Sequence, residues 1–318
     1  MRGSIDWQVR EVFSTVNDIG VSKHEAKSQA REAGAKTWSD MGKALGCHSY
    51  STYDDYRAVA KEAFGYIQQS YGVKDIMRIE SHQVESFLKD RIENGGRDGV
   101  GLERSSFDKY SSALSKLEVA LNRYSQEKEL GREYKFDLKG IRQYAAKELG
   151  KRNDISRAYK NPKALVEAVT GKYNLTAHIQ YEGGTRIDEI ARLRENQLRG
   201  LRPDPHSGQI KGWIEVSGKG GKVREVGVTT ETYSRLEKAI AAGNGIFRTN
   251  EGNYRNNLKT AAERTGQKYE GSHGLRWNWA QERHGELQNL KMSYEASLSV
   301  VSKEMGHERS DITCHYLH

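Results

Sequence analysis

The segment IKGWIEVSGKGGKVREVGV, residues 210–228, differs in pattern from the rest of the chain. Two short runs rich in β-branched residues, IKGWIEV and VREVGV, flank the glycine-containing stretch SGKGGK. Because glycine readily adopts the backbone angles of tight turns, this order predicts two antiparallel strands joined as a hairpin. The segment therefore predicts a small β-sheet.

Helical patterns surround this hairpin on both sides. Apolar residues recur at helical spacing in 164–184 and 185–198, then again in 230–242 and after Asn253. Ser272 is a candidate N-cap for one more helix. The second half of the chain is therefore predicted to be mostly helical with a small sheet.

The first half of the chain is predicted to be helical, between about residue 50 and residue 125. Its first helix repeats Tyr56, Ala60, Ala63 and Ile67 on one face, and a second begins with Ser81 as its cap. A third, after Ser105, carries a continuous apolar seam: Phe107, Tyr110, Leu114, Leu117, Leu121 and Tyr124. We interpret these faces as core packing between helices.

A domain boundary is predicted in the polar stretch KRNDISRAYKNP, which lacks apolar periodicity and contains one of only three prolines. A short helix, IRQYAAKEL, precedes it. The predicted domains are residues 1–155, all helical, and residues 156–318, helical with a small sheet.

Composition favours a polyanionic partner and a cytoplasmic protein. The 51 lysines and arginines outnumber 43 acidic residues, giving a net charge of +8, and such an excess attracts nucleic acid. Cys47 and Cys314 lack metal-ligand spacing and are typical of reduced cytosolic residues. There is no signal-peptide pattern and no apolar run of membrane-spanning length.

Four separated segments carry the candidate reactive residues. They are GGTRIDEI, SGKGGK, SHGLRWNWA and GHERSDITCHY. Taken singly, each has an ordinary explanation, such as a surface ion pair or a solvated lysine on a turn. Their order along one chain is more informative than any one of them.

As a set, these segments resemble the tyrosine recombinase (phage integrase) family, over residues from about 163 to 316. The resemblance implies a mostly α fold with a small β-sheet, in which a helical core-binding domain and an α+β catalytic domain form a C-shaped DNA clamp. It implies a site that needs no cofactor and no metal. The implied catalytic residues, with Glu189 supporting them, are Arg186, Lys219, His273, Arg276, His307 and Tyr316.

The residue types suit attack on a phosphodiester. Arg186 and Arg276 would hydrogen-bond the non-bridging oxygens and stabilise the charge of the transition state. A phenol has an ordinary pKa of about 10, so Tyr316 needs nearby positive charge and a base such as His273. Attack would leave a covalent 3′-phosphotyrosyl bond.

Other roles follow from the resemblance. Lys219 would protonate the departing 5′-oxygen, and Lys222 is the alternative acid by residue type. His307 would hydrogen-bond the scissile phosphate. Glu189 would hold the helix that carries Arg186.

The predicted function is site-specific recombination: integration, excision or Xer-like resolution, by a chain from a cell, a phage or a mobile element. The implied partners are double-stranded DNA, a homo-tetramer on paired sites and an accessory directionality protein. Two alternatives remain open: a related strand cutter (a type IB topoisomerase or telomere resolvase), or a catalytically inactive DNA-binding protein of the same fold.

Two departures from the family pattern bear on the site. The stretch between Arg276 and His307 is longer than usual, which predicts an extended loop or helix. Only Leu317 and His318 follow Tyr316, where family members continue into a helix that docks on a neighbouring protomer; either the chain is cut, or another element couples protomers. For Trp277 and Trp279, helix packing is favoured over base stacking, and for His315 a solvated or capping role is favoured.

Overall fold

A computed structural model describes residues 1–95, 101–150, 156–218, 221–307 and 310–317, without the side chain of Trp38. The chain divides into two compact units, Met1–Asn153 and Asp154–His318. Lys219, the predicted general acid, lies outside the described residues, and so do residues 151–155 of the predicted linker.

In its described part the first unit is built from helices. They are α1 (Ile5–Ser14), α2 (Lys23–Glu32), α3 (Trp38–Ala44), α4 (Tyr50–Tyr71), α5 (Ser81–Asn94), α6 (Arg104–Glu127) and α7 (Lys139–Glu148), with a 3-10 turn at Ile76–Arg78.

The apolar faces predicted for α4, α5 and α6 form the core of this unit. Ala63 and Ile67 of α4, Phe87 of α5, and Leu114 and Leu117 of α6 are all buried in one cluster. The three predicted helices and the short helix α7 are therefore confirmed, whereas α1 to α3 were not predicted.

The predicted cap at Ser81 is wrong. The cap residue of α5 is Glu80, which forms a reciprocal capping pair with Gln83. The Ser81 hydroxyl instead accepts a hydrogen bond from the backbone N–H of Asp137, at 2.8 Å. A carboxylate one residue earlier occupies the capping role, which leaves the serine for a contact distant in sequence.

The second unit combines helices with two small antiparallel sheets. Its helices are α8 (Pro162–Ala168), α9 (Lys172–Gly183), α10 (Ile187–Ile190), α11 (Thr230–Ala242), α12 (Glu251–Arg264), α13 (His273–Asn289), α14 (Tyr294–Glu304) and α15 (Ser310–Cys314). Its strands are β1 (Arg192–Arg194), β2 (Leu198–Pro203), β3 (Ile210–Ser217), β4 (Val223–Val228) and β5 (Ile246–Arg248), with a 3-10 turn at Glu195–Gln197.

The hairpin predicted over residues 210–228 is confirmed as β3 paired with β4. Their register runs from Gly212 opposite Val228 to Ser217 opposite Val223. Strand β2 adds to the free edge of β3, so the sheet has the order β2-β3-β4. The mostly helical fold with a small sheet is thus confirmed.

The helix predicted over residues 185–198 is wrong beyond its first turn. Only Ile187–Ile190 is helical, and β1 follows. In β1 the exposed Arg192 and Arg194 flank the buried Leu193, which pairs with Phe247 of β5. Burial of Leu193 in a two-residue alternation overrides the local helical preference.

Two apolar clusters occupy the second unit. The larger joins α8, α9, α11 and α12 to the inner face of the sheet. The smaller joins α13 and α14 to Tyr316, through Trp277, Ala280, Leu287, Val301 and Met305. The long stretch between Arg276 and His307 is therefore two packed helices rather than a loop.

Within the described ranges, no helix is both long enough and apolar enough to cross a membrane.

Candidate active site

The first turn of α13 brings His273 and Arg276 onto one face of a helix. Their three-residue spacing corresponds to just under one turn, as predicted. Ser272 stands at the N-cap position but forms no side-chain capping bond, so the predicted capping by its hydroxyl is wrong. Its backbone is already helical, with φ −61° and ψ −25°, rather than in the extended geometry of capping serines.

Arg276 is fully buried and is held by backbone carbonyls. Its Nη1 donates to the carbonyl of Gly184, and its Nη2 donates to that of Met305 at 2.6 Å. Burial, and then the charges of Arg186 and Arg224, lower the pKa of Arg276 to about 10. At neutral pH the guanidinium is still charged, and its direction is set by two rigid acceptors.

Arg186 is fixed through Glu189. The Glu189 carboxylate accepts from the backbone N–H of Arg186 at 2.7 Å and from its Nη1 at 3.0 Å. Glu189 is buried, whereas the Arg186 side chain keeps 28% exposure. Glu189 therefore anchors an arginine whose side chain is still partly exposed to solvent.

A third arginine, Arg224 of β4, was missed by the sequence reasoning. Its Nη1 and Nη2 donate to the two carboxylate oxygens of Glu189 at 2.8 and 2.7 Å. Burial by itself disfavours the Glu189 carboxylate, but the hydrogen bonds and charge of Arg224 outweigh it, and the pKa of Glu189 falls to about 2. The only signal for Arg224 in the sequence was its position as a charged residue within the apolar pattern of the predicted strand VREVGV.

Tyr316 lies in the same cluster, with its hydroxyl against His273. The phenol oxygen is 2.8 Å from His273 Nε2. Its buried ring lies 5.1 Å from the Trp277 ring and 5.6 Å from the His307 ring, centroid to centroid. The chain thus brings its own tyrosine to the arginines and histidines of the same unit.

Two contacts hold the segment that carries Tyr316. Gln281 Nε2 of α13 donates to the Tyr316 carbonyl at 3.1 Å. The Thr313 hydroxyl lies 2.8 Å from His307 Nδ1. These contacts join Tyr316 to the helix of His273, and Thr313 of α15 to His307.

Both histidines are predominantly neutral at physiological pH. Burial, followed by the charge of Arg276, lowers the pKa of His273 to about 4. The same two causes lower the pKa of His307 to about 4. A neutral imidazole has an unprotonated nitrogen, so Nε2 of His273 can accept the hydrogen bond of the Tyr316 hydroxyl.

The geometry can be compared with known proteins. No protein-family model and no curated protein sequence matches the chain. The XerH site-specific recombinase bound to difH substrate, a pre-cleavage complex, aligns with a TM-score of 0.64 and 16% identity, over 99% of this chain and 93% of XerH. Its post-cleavage complex with palindromic difH gives 0.62 and 16%, over 99% and 90%. The chain has the tyrosine recombinase fold.

A transposon recombinase shares this fold. The Tn1549 transposon integrase in complex with circular intermediate DNA aligns with a TM-score of 0.52 and 12% identity, over 98% of this chain and 94% of that one. All three alignments span both units, so the recombinase fold extends through the N-terminal helices as well as the unit that contains Tyr316.

On this recombinase fold, five of the six predicted catalytic positions are described, and they share one unit. Arg186 and Arg276 both contribute to the low pKa values of His273 and His307, and Tyr316 touches both histidines. Lys219 lies outside the described residues, so the choice between it and Lys222 stays a prediction.

The two tryptophans that follow Arg276 in sequence pack within the recombinase fold. Trp277 is buried and contacts Tyr316, and the exposed His315 meets it edge-on at 4.9 Å. Trp279 lies over Gly184, where a β-carbon would come within 2.3 Å of its ring. The predicted packing role is confirmed for both.

Proposed function

We propose that this protein is a site-specific DNA recombinase that cuts and rejoins strands through a 3′-phosphotyrosyl intermediate. The observation that carries the proposal is the Tyr316 hydroxyl, 2.8 Å from Nε2 of a neutral His273, in a unit that also holds two arginines suited to a phosphate. A phenol paired with a base and flanked by cations is equipped for attack on phosphorus.

In the proposed first step, Arg186 and Arg276 hold the non-bridging oxygens of the scissile phosphate, and His307 adds a hydrogen bond. The Tyr316 oxygen attacks phosphorus as its proton passes to His273 Nε2. The bond between phosphorus and the 5′-oxygen breaks, and Lys219 gives that oxygen a proton. The arginines stabilise the charge that grows on the phosphoryl oxygens.

Rejoining is the reverse reaction with a 5′-hydroxyl of another strand. The phosphotyrosyl bond retains the energy of the phosphodiester, so no nucleotide or metal is consumed. Because Tyr316 reaches His273 of its own chain, we propose that each protomer cleaves with its own tyrosine.

The proposed partner is double-stranded DNA, bound by both units in a clamp. The XerH and Tn1549 proteins were solved as DNA complexes, and a net charge of +8 favours such a partner. We propose that four protomers act on paired sites in the cytoplasm, in integration, excision or resolution, with an accessory protein setting direction.

Covalent trapping tests this function and identifies the recognised DNA sequence in the same experiment. The purified protein is incubated with fragmented genomic DNA, the mixture is denatured, and DNA bound covalently to protein is sequenced. We expect enriched sequences with the wild-type chain and none with Tyr316→Phe, which retains the ring but lacks the nucleophile. Adducts formed by Tyr316→Phe would refute the assigned nucleophile.

Other outcomes identify the alternatives. Relaxation of supercoiled plasmid without a preferred sequence would identify a topoisomerase. Retention of DNA with no adduct at any sequence would identify a binding protein that is catalytically inactive.

A second experiment identifies the general acid that protonates the departing 5′-oxygen. Its substrate carries the DNA sequence recovered by covalent trapping, with sulfur in place of the 5′-bridging oxygen. A thiolate leaves without a proton, so Lys219→Ala should be slow on the oxygen substrate and restored on the sulfur one. Rescue of Lys222→Ala instead would assign the role to Lys222.

A further inference from the structure

Arg224 lies beside the proposed active site, but its side chain contacts none of the described groups that are proposed to react. Its side chain is 11% exposed and its Glu189 partner is fully buried. Both terminal nitrogens bind the two Glu189 oxygens in parallel. This two-point geometry fixes the plane of the carboxylate as well as its distance, which a single lysine charge does not do.

The same guanidinium reaches a second part of the site. Arg224 Nε donates to the carbonyl of Glu304 at 2.9 Å. The next carbonyl along the chain, that of Met305, accepts from Arg276, and His307 follows two residues later. Arg224 therefore connects Glu189, which holds Arg186, to the backbone segment just before His307. The same segment orients Arg276.

The β3–β4 hairpin also contacts the Arg224–Glu189 pair, at Gly218 just after β3. A β-carbon at Gly218 would lie 3.0 Å from Glu189 Oε1 and 3.3 Å from Arg224 Nη1. Gly218 N–H donates to the Lys222 carbonyl at 2.6 Å. Gly218, which precedes the candidate acid Lys219 in sequence, therefore packs against the Arg224–Glu189 pair.

Glu189 is oriented mainly by Arg224. Arg186 offers it one side-chain bond of 3.0 Å and one backbone bond, whereas Arg224 offers two shorter side-chain bonds. Without the Arg224 fork, Glu189 would keep one guanidinium partner and would be free to draw Arg186 more fully onto itself, away from a phosphate.

We propose that Arg224 is a positioning residue for strand cleavage, acting through Glu189 on Arg186 and through the Glu304 carbonyl on the segment of Arg276 and His307. The inference rests on the proposed recombinase function and deepens it. Arg224 sets the orientation of the phosphate-binding arginines without binding the phosphate.

The test compares Arg224→Lys with wild type in single-turnover cleavage of a nicked duplex that carries the trapped sequence. A lysine keeps the charge but not the two-point contact. Because a displacement of about 1 Å at such a site lowers rates by ~100-fold, we expect cleavage to slow by about 10- to 100-fold. DNA affinity should stay close to that of wild type.

The matched control is Arg199→Lys, on strand β2 of the same sheet. Arg199 also pairs with carboxylates, Glu215 and Glu225, but its side chain is 38% exposed. It should cleave at the wild-type rate. Equal slowing of both variants would overturn the positioning role in favour of a general effect on the sheet.

A double-mutant cycle separates positioning from simple stabilisation. Because one route of Arg224 runs through Glu189, the rate loss of Arg224→Lys combined with Glu189→Gln should be smaller than the product of the two single losses, while the Glu304 route keeps it larger than either single loss. A loss equal to that product would overturn the proposal. Melting curves accompany each rate, and a rate loss that disappears when the assay is cooled well below the variant's melting temperature would also overturn it.

A second variant perturbs the pair without changing either of its charged side chains. Gly218→Ala places a methyl group against Glu189 and Arg224, and it should also slow cleavage. Absence of adducts in wild type would refute the proposed function itself, whereas wild-type adducts with an undiminished rate in Arg224→Lys would refute this inference alone.

Discussion

The pH dependence of cleavage follows from the environment of His273. In the proposed mechanism His273 accepts the Tyr316 proton, so His273 must be neutral in the free protein. Burial and Arg276 lower the pKa of His273 to about 4, and Arg157 and Arg186 add to the effect. Lowering the pH therefore inactivates the base only near pH 4, and not near the ordinary histidine value of about 6.5.

The size of the effect is set by the neutral fraction of His273. With a pKa of about 4, roughly 97% of the rings are neutral at pH 5.5; with an unperturbed pKa of about 6.5 only about 9% would be. Going from pH 7.5 to pH 5.5, we expect the cleavage rate to fall by less than about a third, where an ordinary histidine would lose ~10-fold.

The assay is the second-order rate constant of adduct formation at limiting DNA, at constant ionic strength, because this constant reports the ionisation of the free protein. A roughly tenfold fall between pH 7.5 and pH 5.5 would refute the assignment of a buried, cation-flanked base.

Substitution of Arg157 should shift the pH–rate profile of cleavage. Arg157 is outside the proposed catalytic set, and its charge disfavours protonated His273. Arg157→Gln should shift the acid limb to higher pH. Lys268→Gln is the control, since Lys268 is an exposed cation that pairs with Glu270, next to the Arg157 contact with the Glu270 carbonyl. An unmoved limb in Arg157→Gln would contradict the electrostatic reasoning.

Three further outcomes are expected. Arg283→Met should destabilise the protein by about 2 kcal/mol in urea denaturation, because the buried Asp204 loses its arginine partner and keeps Lys211 as its cation; an unchanged midpoint would contradict this. Gly184→Ala should lower both the melting temperature and the cleavage rate, because the residue has φ +59° and its β-carbon would collide with Trp279. Mixing Tyr316→Phe with Arg186→Ala on one substrate should not restore adducts if, as proposed, each chain cleaves with its own tyrosine; restored adducts in a gel assay would show cleavage by a neighbouring chain.

Much of the fold could be predicted because its signals are local. The apolar spacing of α4, α5 and α6 and the turn residues between β3 and β4 act over a few positions, and these elements are present as expected. Strand β1 could not be predicted in this way, because its partner β5 lies more than fifty positions later and burial of Leu193 decided its conformation. The caps expected from Ser81 and Ser272 failed for a related reason: whether a hydroxyl caps a helix depends on backbone angles and on competing partners.

The amino-acid sequence specifies which reactive residues the chain has and in which order: two arginines, two histidines, a tyrosine and two candidate lysines, at spacings typical of one enzyme family. How the described residues meet depends on contacts between segments that are distant in sequence. Arg276 reaches Gly184 across 92 positions, Tyr316 reaches His273 across 43, and Arg224 reaches Glu189 across 35. Such contacts have no local periodicity. They arise because burying α13 and α14 against Tyr316, and the sheet against α9 and α11, leaves these polar groups inside, where each must find a partner.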